Sequence, residues 1–331
     1  MAISAKDVNE LRKRTGAGMM DCKKALQESD GDLEKALDHL RQKGAKVAAK
    51  RADRDANEGV VVVKIDGNHG HVLALSCETD FVAKNEGFIA LANEVLDAAV
   101  AANANTVDDV RGMEIGGEPL GERLTNETGK TGEKIEVSDY QVIEGENLIS
   151  YIHAGSKIGV VVAYKDGGKD DAEQFFRGVA MHIAAMNPSI MHPSEFDADM
   201  VAKETVVIQE QIKTYNEDAE QVNASITSGD KKPLKTVPKY VSRLQLTDEV
   251  MAAEEQAIKD QLKSEGKPEK IWDKIVPGKI ERFVADNTLL DQERCLLAQF
   301  YALDDSKTVE DAVKAFHDDA EVVGYRRVSV S

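Results

Sequence analysis

The sequence predicts an α+β protein in which antiparallel sheets and helices occupy separate stretches of the chain. Short amphipathic segments with helical spacing open the chain. Two pairs of apolar, strand-like segments follow, each with a short turn inside the pair and an apolar-faced helix after it. A longer, more polar helical stretch then precedes a last apolar segment. Helices and paired strands that do not alternate regularly indicate the α+β class.

The composition limits the kinds of protein this chain can be. At 331 residues it can bury a substantial core and is expected to form two or three domains. Its net charge of −18 disfavours direct binding to nucleic acid, because an acidic surface repels the phosphate backbone. The first 54 residues nevertheless hold 13 Lys and Arg against 9 Asp and Glu. This basic segment indicates either a protein partner bound at several patches or ordinary solvated helix faces.

Three short helices are predicted at the N-terminus. Ser4 and Asp7 form a variant of the capping box at the start of the first helix. The second helix spans about Met19–Gln27, and the third is expected to stop at Gly44. The third helix has an apolar face, made of Leu33, Leu37 and Leu40. The basic stretch 45–54 is interpreted as a connector, so these helices form a small bundle.

The body of the chain carries a weak internal repeat. Each copy has a strand, a turn, a returning strand and a helix, and corresponding elements are offset by about 87–89 positions. The predicted strands are Val60–Ile65, His71–Cys77, Leu148–His153 and Ile158–Tyr164, with turns at residues 66–68 and 154–156. Two copies are too few for a solenoid, so the repeat favours duplication into two α+β subdomains.

The stretch 199–285 differs from the preceding repeat in its residue pattern. It begins with an apolar seam at three-four spacing and then becomes polar and turn-rich over 217–246, which indicates an irregular insertion. Further amphipathic helices follow, and Pro277-Gly278 is expected to break the last of them. This stretch is interpreted as a helical hairpin or arm. The final segment, Glu321–Val330, is predicted to return as a strand to the second sheet.

Domain limits follow from these elements. Residues 1–54 form the N-terminal helices and connector, and residues 55–140 form the first core subdomain. Residues 141–198 together with 286–331 form the second core subdomain, and 199–285 form the arm with an inserted segment near 212–247.

Cysteine usage and hydropathy predict the compartment. Cys22, Cys77 and Cys295 lie far apart, with no Cys-x-x-Cys pair. They are interpreted as buried small hydrophobes in a reducing compartment rather than as disulfide or zinc cysteines. The N-terminus has no signal segment, and no apolar run approaches the roughly 20 residues that a membrane helix requires. A cytoplasmic protein without membrane contact is expected.

No group of residues indicates an enzyme. Thr128-Gly129-Lys130-Thr131 resembles the end of a phosphate-binding loop, but Leu124 stands where that motif requires glycine, and the stretch is interpreted as a flexible loop. His69 and His71 have metal-like spacing, but no further ligands converge on them. His182 lies on an apolar helix face and is interpreted as a core histidine. No nucleophile, base and orienting group can be assembled, and no cofactor or metal is expected.

Thr79-Asp80-Phe81-Val82 is the most informative stretch of the chain. Thr79 or Asp80 can cap a helix that follows the strand ending at Cys77. Phe81, in the first turn, can point inward to the core or outward as a binding anchor. Met19 and Met20 leave the same choice open, since one of two adjacent helix positions usually faces solvent.

Several motifs together resemble the elongation factor Ts family. They are Arg14–Leu26, Thr79–Ala83 with Asn85–Phe88, Ser150–His153, Ala180–Ala185 and Lys267-Pro268. The resemblance covers about residues 4–199 and 260–330. It implies an N-terminal three-helix, ubiquitin-associated-like domain, a two-subdomain α+β core with antiparallel sheets, and a helical hairpin or coiled-coil insertion. It also implies an exchange factor for guanine nucleotides in translation elongation.

The resemblance implies roles for particular residues. Thr79, Asp80, Phe81 and Val82 are expected to contact elongation factor Tu in its GDP-bound and nucleotide-free forms. Asp80 is expected at the polar edge of that contact, while Phe81 inserts between two helices, displaces Mg²⁺ and releases GDP. The partner is also expected to contact Arg12, Met19, Met20 and His153.

The chain departs from the family pattern in the arm. The insertion near 212–247 and the Pro277-Gly278 pair argue against a continuous coiled coil, and no additional C-terminal helix is expected after the last strand. The exchange role is expected to survive these changes, without cofactor or covalent chemistry. The alternative from another class is a scaffold that binds a translation GTPase without releasing its nucleotide.

Overall fold

A computed structural model describes residues 3–153, 155–225 and 230–330. It divides the chain into two compact units, one of Met1–Ala185 with His317–Ser331 and one of Met186–Phe316. Helices and antiparallel sheets occur in both units, which confirms the predicted α+β class.

The elements follow one another in this order. Up to residue 186 they are α1 (Ala5–Thr15), α2 (Met19–Glu28), α3 (Leu33–Arg51), β1 (Glu58–Asp66), β2 (His69–Cys77), α4 (Asp80–Ala83), α5 (Glu86–Ala101), α6 (Val107–Arg111), β3 (Glu114–Ile115), β4 (Glu118–Pro119), α7 (Leu120–Thr131), β5 (Glu136–Glu144), β6 (Asn147–Ile152), β7 (Ile158–Asp166) and α8 (Ala172–Met186). After it they are α9 (Ala198–Ser225), α10 (Asp248–Ser264), α11 (Trp272–Asp286), α12 (Leu289–Arg294), β8 (Phe300–Tyr301), β9 (Asp304–Thr308), α13 (Val309–Phe316) and β10 (Ala320–Ser329).

The N-terminal helices form a small bundle with its own core. The predicted capping box is confirmed, since Ser4 Oγ accepts a hydrogen bond from Asp7 N while an Asp7 carboxylate oxygen accepts one from Ser4 N. The helices pack through a cluster of buried residues, Val8, Leu11, Ala17, Cys22, Ala25, Leu26 and Ala36. This cluster fixes α1, α2 and the first half of α3 relative to one another.

Helix α3 is longer than predicted. It runs through Gly44 to Arg51, so the predictions of a stop at Gly44 and of a connector over 45–54 were wrong. Gly44 packs against α7, where a Cβ atom built on Gly129 would lie 2.6 Å from the Gly44 Cα. This close packing offsets the roughly 1 kcal/mol that glycine costs a helix relative to alanine.

Helix α7 is also a correction. Thr128-Gly129-Lys130-Thr131 was expected to be a flexible loop, but it forms the last turn of α7, which ends at Gly132 with a left-handed φ of 76°. Thr128 is buried. The packing of α7 against α3 stabilises a helix that its glycines disfavour.

Two three-stranded antiparallel sheets form the core of the first unit. The strand orders are β1-β2-β5 and β10-β7-β6. The four strands predicted for the repeat and the final strand are confirmed, whereas β5 was not predicted. Gly67 in the first predicted turn has a φ of 56°. In the second turn, Ala154 lies outside the described residues.

The two sheets pack face to face, and each has a helix on its outer face. The apolar layer between them includes Val61 and Val72 of the first sheet and Val161 and Val328 of the second. Helix α5 covers the outer face of the first sheet through Phe88, Leu91, Val95 and other apolar residues. On α8, the Phe176 ring stacks on Tyr164 of β7 with 4.2 Å between ring centroids. The result is a four-layer arrangement of helix, sheet, sheet and helix.

The second unit consists mainly of helices. Helix α9 extends to Ser225, so the expected irregular insertion over 217–246 was wrong in its first part; the described residues 230–241 have no regular structure. Helices α10 and α11 pack through Ile258, Leu262 and Val276. Pro277 lies inside α11, which contradicts the predicted break. Contact with α10 explains why the helix continues across this proline.

Candidate functional site

The candidate site is built on the corner between β2 and α4, residues Glu78–Ala83, which we call the Thr79 corner. Thr79 has extended backbone angles, and α4 begins at Asp80. Val82 packs against the core of the first sheet and Ala83 is buried, whereas the Phe81 side chain is 83% exposed. The anchoring of Val82 and Ala83 turns the Phe81 ring toward solvent, so the outward of the two alternatives is the one observed.

Half-buried polar contacts hold this corner in place. The Glu133 carboxylate accepts hydrogen bonds from Thr79 N at 3.0 Å and from Thr79 Oγ1 at 2.6 Å. Glu78 accepts one from Lys134 N at 2.7 Å and pairs with Arg51 at 2.7 Å. Hydrogen bonds to a carboxylate are about twice as strong as neutral ones. The backbone at Glu78 and Thr79, just before Phe81, is therefore held by contacts with Arg51, Glu133 and Lys134.

Asp80 stays ionised beside the exposed ring. The Lys84 ammonium donates a hydrogen bond to Asp80 at 2.6 Å, and this bond, together with the charges of Lys84 and Lys157, lowers the pKa of the Asp80 carboxyl. The same contact raises the pKa of Lys84. The corner thus presents a carboxylate and a bare aromatic ring on adjacent residues.

The β6–β7 hairpin brings His153 to the same edge of the first unit. His153 is exposed at the end of β6, and its Nδ1 lies 3.1 Å from the Tyr151 hydroxyl. Lys157, on the other side of the hairpin turn, pairs with Glu58 at 2.7 Å. Lys157 also contributes to the lowered pKa of Asp80, so the hairpin and the Thr79 corner share one electrostatic environment.

The register of the first sheet explains this proximity. Glu58, at the start of β1, lies opposite Cys77, at the end of β2. The Val61 amide donates a hydrogen bond of 2.6 Å to the Ser156 carbonyl in the hairpin turn. The start of β1, the end of β2 and the hairpin therefore meet at one edge, where both Phe81 and His153 are exposed.

Arg12, Met19 and Met20 form a separate exposed patch on the helical bundle. Met19 is 54% and Met20 72% exposed, because Cys22, Ala25 and Leu26 are the residues of α2 that face the core. The two methionines therefore both face outward, where one was expected to do so. Arg12 is exposed at the other side of the Gly16–Gly18 turn. Within the described residues, no hydrogen bond or ion pair joins this patch to the Thr79 corner.

A groove of about 580 Å³ separates the helical bundle from α5 and α7. Gly129 and Lys130 line it, and so do several other basic residues. Each of these cations is paired, in the contacts Arg14–Glu34, Arg41–Asp38, Lys43–Asp21, Arg123–Glu94 and Lys130–Glu127. A nucleotide phosphate would have to break such pairs, so the groove does not have the chemistry of a phosphate site.

The histidines with metal-like spacing have other contacts. His71 is buried, its Nδ1 lies 2.8 Å from the Tyr140 hydroxyl, and burial lowers its pKa. His69 is exposed, and His182 is fully buried on α8, as predicted. Among residues 3–153, 155–225 and 230–330, no cluster of three or more His, Cys, Asp or Glu side chains could hold a metal ion.

The contacts that fix the corner were not predicted from the sequence. Glu133 lies 54 positions from Thr79, and Arg51 lies 27 positions from Glu78. No local spacing signals a contact at such separations. The acidic and basic residues around the corner were visible in the sequence, but only the packing of α3 and α7 shows which of them meet.

The described part of the chain has no helix that combines the length and the apolar character needed to cross a bilayer.

Comparison with known proteins gives consistent similarities. The family model described as elongation factor TS matches residues 78–235 and 234–331. The chain is 66% identical over 329 residues to elongation factor Ts of Rhodopirellula baltica, with 99% of both chains covered. It is 43% identical over 330 residues to elongation factor Ts of Flavobacterium johnsoniae, again with 99% of both covered. The corresponding protein of Helicobacter pylori strain 26695 is 42% identical over 337 residues, covering 98% of this chain and 93% of that protein.

Proposed function

This chain belongs to the elongation factor Ts family, and from that premise we propose that it is the guanine-nucleotide exchange factor of elongation factor Tu. The observation that carries the proposal is the Phe81 ring, 83% exposed on a corner that Glu133 and Arg51 hold in place. A bare ring at a fixed position favours a binding anchor, because it buries a large area at little entropic cost.

The proposed mechanism displaces Mg²⁺ from the partner without covalent chemistry. Phe81 inserts between two helices beside the Mg²⁺ site of the GDP-bound partner, while the ionised Asp80 contacts the polar edge of that site. Thr79 and Val82 position the two residues. Moving the partner's helices breaks the Mg²⁺ coordination and the phosphate contacts, so GDP dissociates and the exchange factor stays bound until GTP enters.

Thermodynamic linkage sets the scale of this effect. Exchange factor and nucleotide bind the same partner with negative coupling, so each weakens the binding of the other by the same factor. A coupling of about 4 kcal/mol corresponds to roughly a thousandfold change in affinity. The fixed corner supports such coupling, since a mobile ring would lose part of this free energy to its own ordering.

The remaining contacts are proposed to hold the partner rather than to release its nucleotide. Arg12, Met19 and Met20 contact the GTPase on one surface. His153, on the edge that also carries Phe81, contributes to the contact made by the Thr79 corner. Exposed methionines suit such a contact, because their side chains adapt to an irregular surface.

The test measures release of a fluorescent GDP analogue from elongation factor Tu. We expect the parent chain to accelerate release, and Phe81→Ala to lose at least about tenfold of the saturated rate, as for an interface hot spot. The unfolding free energy of Phe81→Ala should change by less than about 0.5 kcal/mol, because the ring is exposed. Phe300→Ala removes another exposed ring, in the second unit, and is the matched control with full activity.

Met20→Ala tests whether binding of the partner can be weakened without slowing the release of GDP. It should raise the concentration needed for half-maximal release and leave the saturated rate unchanged. If Phe81→Ala released GDP as fast as the parent, the insertion mechanism would be wrong. A parent chain that bound the partner without accelerating release would instead be the scaffold, the alternative from another class.

A further inference from the structure

Residues Lys231–Lys239, here called the lysine strip, are a basic segment on an acidic chain. The strip holds four lysines and no carboxylate, while the whole chain has a net charge of −18. All of its residues except Pro238 are exposed. Within the described residues, no ion pair joins any of these lysines to an acidic side chain.

Two asparagines of α9 bind the backbone of the strip. Asn223 accepts a hydrogen bond from Lys232 N at 2.7 Å and donates one to Lys232 O at 2.8 Å. Asn216, two helical turns earlier, makes the same pair with Lys235, at 2.8 Å in each direction. Both polar groups of two strip residues are thus satisfied by side chains of one helix face, which holds the strip along α9.

Further contacts fix the rest of the strip. The Gln209 amide donates to Pro238 O at 2.9 Å, and the Tyr215 hydroxyl donates to Pro233 O at 3.4 Å. Asn287 accepts a hydrogen bond of 3.0 Å from Lys239 N. The Lys235 ammonium lies 4.5 Å from the centroid of the Tyr215 ring, within cation–π range.

Within the described residues, these contacts leave the positive charge of the lysines unneutralised. Lys231 and Lys232 are exposed, whereas the Lys235 and Lys239 ammonium groups lie over the Tyr215 and Tyr240 rings, where they keep their charge. An ordered segment does not pay the backbone entropy of ordering when it binds a partner. The strip therefore has the properties of a preformed cationic binding surface rather than of a mobile loop.

We propose that the lysine strip docks an extended acidic segment of a partner protein that also carries apolar side chains. Leu234 is 53% and Val237 37% exposed, so the strip alternates positive charge with apolar area. RNA is the less suitable polyanion, since the body of the chain is acidic and the tyrosine rings beside the strip are covered by Lys235 and Lys239 rather than open for base stacking.

The proposal is independent of the exchange mechanism. Residues of the strip and its contacts belong to the second unit, Met186–Phe316, whereas Arg12, Met19, Met20, the Thr79 corner and His153 belong to the first. The exchange proposal assigns no residue of the strip to the contact with elongation factor Tu, so we expect changes in the strip to leave GDP release unaffected, and that measurement is a control for each variant below.

Fluorescence anisotropy of the full chain tests the proposal. The probe is a fluorescein-labelled twelve-residue peptide of glutamates with two leucines, and a labelled twelve-nucleotide oligouridylate is the competing probe. We expect the peptide to bind more tightly than the RNA and its affinity to fall as salt is added. Lys232→Gln with Lys235→Gln should weaken peptide binding about tenfold, whereas Lys263→Gln with Lys270→Gln, exposed lysines outside the strip, should leave it unchanged.

A second pair of substitutions tests the preformed conformation. Asn216→Ala with Asn223→Ala keeps every lysine and the net charge but removes the backbone contacts, so peptide affinity should fall several-fold. Circular dichroism must show that α9 remains folded. Peptide binding that neither double variant weakens overturns the proposal, and so does tighter binding of the oligouridylate than of the peptide. If only the asparagine double variant kept the parental peptide affinity, the claim that the strip is a preformed surface would be wrong.

Discussion

Three consecutive residues at the Thr79 corner show how far a sequence pattern reaches. The sequence places Phe81 in the first turn of a helix, but it does not determine which way the ring points. Its direction follows from Val82 and Ala83, which pack into the first sheet, and from Thr79, which is held by Glu133. The burial of Val82 and Ala83 and the contact between Thr79 and Glu133 exist only in the folded chain. The sequence alone therefore left both directions of the Phe81 ring open.

Glu133→Gln tests whether the position of the corner matters for exchange. The amide oxygen can still accept from Thr79 N and the NH₂ group can donate to the Thr79 hydroxyl, but both hydrogen bonds lose the negative charge that strengthens them. We expect the unfolding free energy to fall by about 1–2 kcal/mol and saturated GDP release to slow several-fold. Urea unfolding and stopped-flow release measure the two effects.

Glu127→Gln is the control for this substitution. Glu127 lies on α7, where its carboxylate pairs with Lys130 rather than with Thr79. It should leave the release rate unchanged. If Glu133→Gln lowered stability and still released GDP at the parental rate, the corner would not need to be fixed for exchange.

At the scale of elements, runs of apolar residues predicted more than glycine and proline did. The short apolar runs that predicted β1, β2, β6 and β7 are typical of strands packed into a sheet, and each of these strands is present. Gly44 and Pro277 were interpreted as local breakers and the stretch around Gly129 as a loop, yet all three residues lie inside helices. Packing against another helix offsets the free-energy cost of these residues in a helix. Helix propensities describe a residue within its own helix and so do not include this packing.

The crossing of α3 and α7 provides a matched pair of glycines. A Cβ on Gly129 would lie 2.6 Å from the Gly44 Cα, whereas nothing lies within 4 Å of a Cβ on Gly121 in the same helix. Gly129→Ala should therefore lower the unfolding free energy by about 1–3 kcal/mol, as overpacking does. Gly121→Ala should raise it by up to about 1 kcal/mol through helix propensity. Urea unfolding measures the change in unfolding free energy for each variant. If both substitutions stabilised the protein, α3 and α7 would be able to move apart without cost.

At the scale of the whole molecule, the reactivity of the three cysteines can show how each of the two units unfolds. Cys22 and Cys77 are buried in the first unit and Cys295 in the second. Burial raises the pKa of Cys77 to about 12 and that of Cys295 to about 11. Since the thiolate is the reactive form and all three thiols are buried, the native chain at pH 8 should not react with a thiol reagent on the scale of minutes.

Urea should expose these thiols in two steps. Each unit has its own internal contacts, so we expect Cys22 and Cys77 to become reactive together and Cys295 at a different urea concentration. Single-cysteine variants, labelled and analysed by mass spectrometry, measure each site. Simultaneous exposure of all three thiols would indicate one cooperative transition.

The pairing of β10 with β7 has a consequence for how the chain is made. Ser329 pairs with Ile158, and the whole second unit is encoded between these two strands. A ribosome that synthesises the chain therefore completes residues 186–316 before it adds the edge strand of the second sheet. Pairing across such a sequence separation is slow, because the ends of a long loop must meet first. The layer between the two sheets is thus expected to close late in biogenesis, after the inserted unit has already folded.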